Sequence, residues 1–237
     1  MAKIKVLVSD PPWDFGDSLT MSSVKRGAKS NYNTLSIEEL KNLPVKDIVD
    51  TNAVIALWCP SSLIKEGIEV LEAWGFRFTQ THIWVKTKKH PFDKNINKIL
   101  QIIYELIKVN MVFKDKQLTD KITDILSSSI DDILAFGMGR LFRQTHEVVL
   151  MGVRGKIYNE LKNKSQRSVH FYPATKHSEK PETLQDMLEK MFDGVKLEMF
   201  ARRERKGWLT VGLENPSSLG EDIRDSLEKL KNENSSS

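Results

Sequence analysis

One cysteine, Cys59, occurs in 237 residues. Its isolation excludes a disulfide framework and a thiolate cage for a metal, and it suits a reducing compartment. No signal peptide opens the sequence and no apolar run has membrane length, so neither export nor a membrane anchor is expected. The glycine-rich phosphate fingerprint of dinucleotide enzymes is also missing, because Gly137-Met138-Gly139 precedes Arg140-Leu141-Phe142 instead of following a clear strand. His146 and His177 have no companions at metal-ligand spacing, so no metal is expected and both read as structural or loop residues. Neither sign of charge is scarce: 36 Lys and Arg against 32 Asp and Glu leave +4. That balance favours an anionic partner only weakly.

What is present begins with Ile4-Lys5-Val6-Leu7-Val8, an apolar, β-branched run that reads as a buried strand. Asp10-Pro11-Pro12-Trp13 follows it, so a carboxylate, a rigid turn and a large aromatic sit at the carboxyl end of a strand, the edge where open α/β sheets bind ligands. Two readings compete. One is a plain turn in which the aspartate bonds its own backbone and the tryptophan covers a core edge. The other is methyl transfer to an exocyclic amine, whose delocalised lone pair is made available when acceptors pull on its hydrogens. Asp10 would take one hydrogen and the Pro11 carbonyl, held by proline's fixed φ, the other. Trp13 would offer a face to a flipped-out base.

Further along, strands are predicted at 53–58, 78–85, 147–153, 195–200 and 208–212, alternating with helices. Ser36-x-x-Glu39 is a capping box, Ser61 or Ser62 is expected to cap a helix ending at Gly75, and Pro181 to open another with Leu184, Met187, Leu188 and Met191 inside. Trp58 and Trp74 are expected in the core. The alternation argues for a Rossmann-like α/β sheet.

The tetrapeptide stands among other segments: Tyr32-Asn33-Thr34-Leu35-Ser36, Ala56-Leu57-Trp58, Ile83-Trp84-Val85-Lys86-Thr87, His146-Glu147, His177-Ser178-Glu179-Lys180-Pro181-Glu182 and Leu197-Glu198-Met199-Phe200-Ala201-Arg202. In this order they resemble the N6-adenine methyltransferases that carry Asp-Pro-Pro-Trp, the family of the eukaryotic messenger-RNA adenosine methyltransferase's catalytic subunit and of bacterial and phage enzymes. The resemblance spans residues 4 to 215. It implies a Rossmann-like S-adenosylmethionine-dependent methyltransferase with catalytic Asp10, Pro11, Pro12 and Trp13, and cofactor contacts from Asp10, Lys180, Glu198, Arg202 and Glu214. The sequence departs from the family at Leu213, where many relatives have asparagine.

By the same resemblance the substrate is adenine in nucleic acid, with DNA expected ahead of RNA because the chain is short. A catalytically silent, nucleic-acid-binding subunit is the alternative. A homodimer or a related methyltransferase subunit is a possible partner, and the expected compartment is cytoplasmic, or nuclear in a eukaryote. Lys25, Arg26 and Lys29 lie in a polar connection at 14–31 that reads either as a solvated loop or as a phosphate-contacting segment. The methyltransferase domain is expected to cover 1–216. Residues 90–132 interrupt it with two amphipathic stretches expected to form a helical hairpin. Residues 217–237 read as a polar helix and a disordered tail.

Overall fold

The computed structural model describes residues 3–14, 34–89, 120, 133–137, 139, 141–174, 179–215 and 222–235. The loop with Lys25, Arg26 and Lys29, and the 90–132 stretch apart from Asp120, lie outside the described residues. The chain divides into two compact units, one comprising Met1–Ile83, Glu147–Ser168 and Glu182–Ser237, the other Trp84–His146 and Val169–Pro181.

The first unit is built on strands β1 (Ile4–Ser9), β2 (Val49–Cys59), β3 (Arg77–Thr87, through Ile83), β4 (His146–Arg154, from Glu147), β6 (Val195–Met199) and β7 (Leu209–Val211), in the order β3-β4-β2-β1-β6-β7. β1 is parallel to both its neighbours, with Ser9 in register with Leu57 of β2 and Met199 of β6, while β4 runs antiparallel to β2. The six strands predicted here are all present. Burial on both faces explains the near-continuous apolar composition of β1 and β2.

Pleating sorts the residues by face. Leu7, Ile55, Leu57, Leu197 and Met199 join one core cluster with Leu40, Leu71 and Trp74, which come from or follow helices α1 (Ile37–Lys41) and α3 (Ile64–Ala73). Val8, Ala56, Glu198 and Thr210 share a register and occupy the opposite face. α4 (Thr183–Met191) buries Leu184, Gln185 and Leu188. Met187 and Met191 are half-buried.

The Ser36–Glu39 capping box forms as predicted. The other two helix starts differ. Ser61 and Ser62 lie in a single 3-10 turn, Ser61–Leu63, and α3 begins at Ile64 without a side-chain cap. α4 begins at Thr183, two residues after Pro181, with Glu182 as its N-cap. A short helix α2 (Val45–Ile48) packs with α5 (Ile223–Ser235), which buries Ile223 and Leu227 and ties Arg224 to Glu39 at 2.8 Å. Where β1 and β2 begin, Glu160 accepts from Lys5 at 2.6 Å and from Asn52 at 3.0 Å.

In the second unit the end of β3 donates from Lys86 to the Thr145 carbonyl and bridges through Thr87 to Leu134. Its Thr87 carbonyl accepts from Ala174, just beyond β5 (Val169–Pro173), a strand the sequence pattern does not predict. No helix among the described residues is long and apolar enough to cross a membrane.

Candidate active site

Asp10 stands directly after β1, and its amide reaches the Met199 carbonyl at the end of β6 over 3.5 Å. Leu35 locks the turn that follows. Its amide donates to the Pro12 carbonyl at 2.9 Å, and its carbonyl accepts from Asp14 at 3.1 Å. Trp13 and Leu35 thus form a parallel bridge, and Ser36 next opens α1, so two segments distant in sequence hold one backbone geometry.

Two members of the tetrapeptide are placed differently from the methyl-transfer reading, and Trp13 sits where the plain-turn reading has it, against the core. The Pro11 carbonyl, expected to be open, accepts the Trp13 amide at 2.9 Å. A carbonyl carries two lone pairs, so one acceptor direction remains. Trp13, expected to present its face, is 4% exposed and belongs to the core cluster, with its indole N–H donating to the Trp58 carbonyl at 2.9 Å. In this conformation the indole braces β1 against the end of β2.

Glu198 lies on β6 beside Val8 of β1, two residues before the loop to β7. Burial first, and the nearby Asp10 and Glu182 carboxylates after it, raise its pKa, while a hydrogen bond from Gln185 and the charge of Arg203 work the other way. Gln185 Nε2 donates to Glu198 Oε2 at 3.1 Å. Sequence reasoning missed Gln185, although a polar residue between Leu184 and Leu188 on a helix's inner stripe was the available signal.

Beyond β6, Phe200 takes a left-handed φ of 60°, which for a bulky L-residue is strained. The turn lets Ala201 donate to the Val211 carbonyl at 3.0 Å, and Gly212 passes so close that a Cβ there would strike the Ala201 carbonyl. This close approach brings Arg202 and Glu214 together, Nε to Oε2 at 3.7 Å. Two further arginines of the basic stretch Arg202-Arg203-Glu204-Arg205-Lys206 are engaged within the protein. Arg203 pairs with Glu182 at 2.6 Å, and Arg205 contacts Glu182 at 2.7 Å, Asp186 at 2.6 Å and Glu189 at 3.0 Å. Asp10, Glu198, Arg202 and Glu214 all lie in the first unit; Lys180 belongs to the second.

Cys59, at the end of β2, is no nucleophile at neutral pH, since burial, with the charge of Glu66, pushes its thiol up to about 12. What remains at the strand ends is acidic and acceptor-rich. Two carboxylates, Asp10 and Glu198, stand close enough to repel, a set suited to a cationic ligand that also carries hydroxyls.

The chain is similar to several known methyltransferases. Type II methyltransferase M.MunI from Mycoplasma sp is 26% identical over 232 residues, covering 91% of this chain and 79% of its own. An N(6)-adenosine-methyltransferase MT-A70-like protein of Arabidopsis thaliana is 24% identical over 210 residues, 87% of this chain, which spans only 23% of the plant protein. The non-catalytic subunit MTB of the plant N6-adenosine-methyltransferase is 26% identical over 134 residues, 54% of this chain and 16% of its own. The MT-A70 family model matches residues 4–134 and 116–214, which take in the Asp10 turn, β6 and the Arg202–Glu214 loop, and the chain therefore belongs to the MT-A70 family of S-adenosylmethionine-dependent methyltransferases on a Rossmann-like fold.

Proposed function

We propose that this protein methylates N6 of adenine in nucleic acid, with DNA the substrate ahead of RNA. The observation that carries the reading is Asp10 at the end of the central strand, its backbone fixed by Met199 on one side and by the Leu35 bridge on the other. When bound, S-adenosylmethionine supplies the electrophilic methyl group. Asp10 accepts one hydrogen of the target amine and the remaining lone pair of the Pro11 carbonyl the other, which orients the amine's own lone pair outward. Alignment of this kind supplies most of the rate, and no shifted general base is required. Glu198, Arg202 and Glu214 would hold the nucleoside end of the cofactor. The family resemblance alone assigns Lys180 to the cofactor's carboxylate.

Similarity along 79% of a type II methyltransferase, against 23% of a plant adenosine methyltransferase, supports DNA over RNA. The name of the third relative keeps a second reading in view, a silent subunit of a larger methyltransferase. Incubation with labelled S-adenosylmethionine and duplex DNA, single-stranded DNA or RNA, with the product nucleoside identified by mass spectrometry, decides among these. N6-methyladenine in the DNA arms is expected, and Asp10→Asn should lower its formation at least roughly a hundredfold without unfolding the protein. Methylcytosine as product, or near-normal turnover by Asp10→Asn, refutes the assignment.

A further inference from the structure

We propose that Gln185 is a second ribose-recognising side chain, acting with Glu198 so that the site requires both hydroxyls of the cofactor's vicinal diol. This rests on the reading of Glu198 as a cofactor residue. Gln185 is 3% exposed on the inner face of α4 and donates through Nε2 to Glu198 Oε2 at 3.1 Å. An ionised carboxylate only accepts, so its presence fixes which end of the amide faces it. The amide oxygen, Oε1, must then face elsewhere, and it is buried with no hydrogen-bond partner among the described residues.

A buried carbonyl left unpaired costs free energy, and such atoms in native proteins are rare enough to need an explanation. A donor from the ligand supplies one. The two partners lie on neighbouring layers, Gln185 on α4 and Glu198 on β6, one oxygen of each beyond their mutual bond. The amide oxygen and the second carboxylate oxygen are then acceptors on two directly bonded side chains, and two adjacent hydroxyls, each donating once, would satisfy them. Gln185 also holds the Glu198 carboxylate in one orientation, so the pair is set before the ligand arrives.

The test compares S-adenosylhomocysteine with its 2′-deoxy and 3′-deoxy forms by titration calorimetry. Wild-type protein should lose roughly tenfold in affinity for each missing hydroxyl. Gln185→Met, unbranched and close in size, should erase one of the two losses and keep the other; Glu198→Gln should weaken the parent compound while retaining the loss assigned to Gln185. If Gln185→Met keeps both losses, the glutamine is a structural clamp and the inference is wrong. Should that variant misfold, the wild-type comparison still decides, because equal affinity for all three ligands overturns the proposal. No binding of S-adenosylhomocysteine at all would overturn the cofactor assignment beneath it as well.

Discussion

Replacing Trp13 with phenylalanine separates the two roles open to this side chain. A stacking platform needs an aromatic face, which phenylalanine retains. A brace needs the indole N–H, which phenylalanine lacks. The structure has that N–H donating to the Trp58 carbonyl at 2.9 Å in a region where Trp13 is 4% exposed. Losing the donor inside the protein costs about 1 to 3 kcal/mol, and the missing ring atoms leave a small void costing about 1 kcal/mol more. Trp13→Phe should therefore be less stable by roughly 2 to 4 kcal/mol. With a urea dependence of about 3 kcal/mol per molar, the unfolding midpoint falls by about 1 M. Equilibrium urea unfolding followed by circular dichroism measures this directly. Unchanged stability with full activity would show that the indole N–H contributes nothing and that the aromatic face alone matters.

Glu198 gives a prediction of the opposite sign. Its pKa is raised from 4.5 mainly by burial, so the folded state disfavours its charge, a penalty absent below 4.5 and complete once the pH exceeds the raised value. Glu198→Gln should accordingly melt higher than wild type at pH 7, with the gain vanishing in acid, while binding S-adenosylmethionine more weakly; a lower melting temperature at pH 7 contradicts this. Arg205 runs the other way for Glu189, whose pKa lies below 4.5 chiefly because Arg205 hydrogen-bonds it. That contribution is present at neutral pH and lost as the pH falls below 4.5, so Arg205→Met should cost roughly 1 to 2 kcal/mol at pH 7, with half-exposed partners limiting the loss, and should flatten the acid limb of thermal stability. Identical acid limbs in the two proteins would refute the linkage. Lys180→Ala should weaken S-adenosylmethionine binding by about 1.5 to 3 kcal/mol if the ammonium meets the cofactor's carboxylate; unchanged calorimetric affinity removes it from the site.

How far the sequence carried these conclusions depends on the kind of signal. Strands buried on both faces, such as Val49–Cys59, declare themselves by apolar continuity, and the Ser36–Glu39 box by local hydrogen-bond chemistry. Val169–Pro173 escaped because its residues are mostly exposed or half-buried, leaving no periodicity to read. Helix starts were misjudged where local cap chemistry yields to a 3-10 turn, as at Ser61–Leu63. At the site, the aspartate was legible from its place after a strand. The Leu35 bridge, the Trp13 brace and the Gln185–Glu198 bond are tertiary facts without a local signature. The run Arg202 to Lys206 shows the limit of counting charge, because its arginines face Glu182, Asp186, Glu189 and Glu214, which come from other stretches of chain.

The central position of β1 also sets the order in which the protein can be made. Its two neighbours in the sheet are residues 49–59 and 195–199, so one partner follows it within a few dozen residues and the other only after most of the chain. At about 5 to 20 residues per second, synthesis leaves roughly 10 to 40 seconds during which the strand leading to Asp10 has one side of its backbone open. An apolar strand with an open edge is a template for pairing with a second nascent chain. A chain truncated before Val195 thus holds the whole Asp-Pro-Pro-Trp turn yet lacks the strand that aligns it, and carries an open apolar edge in its place.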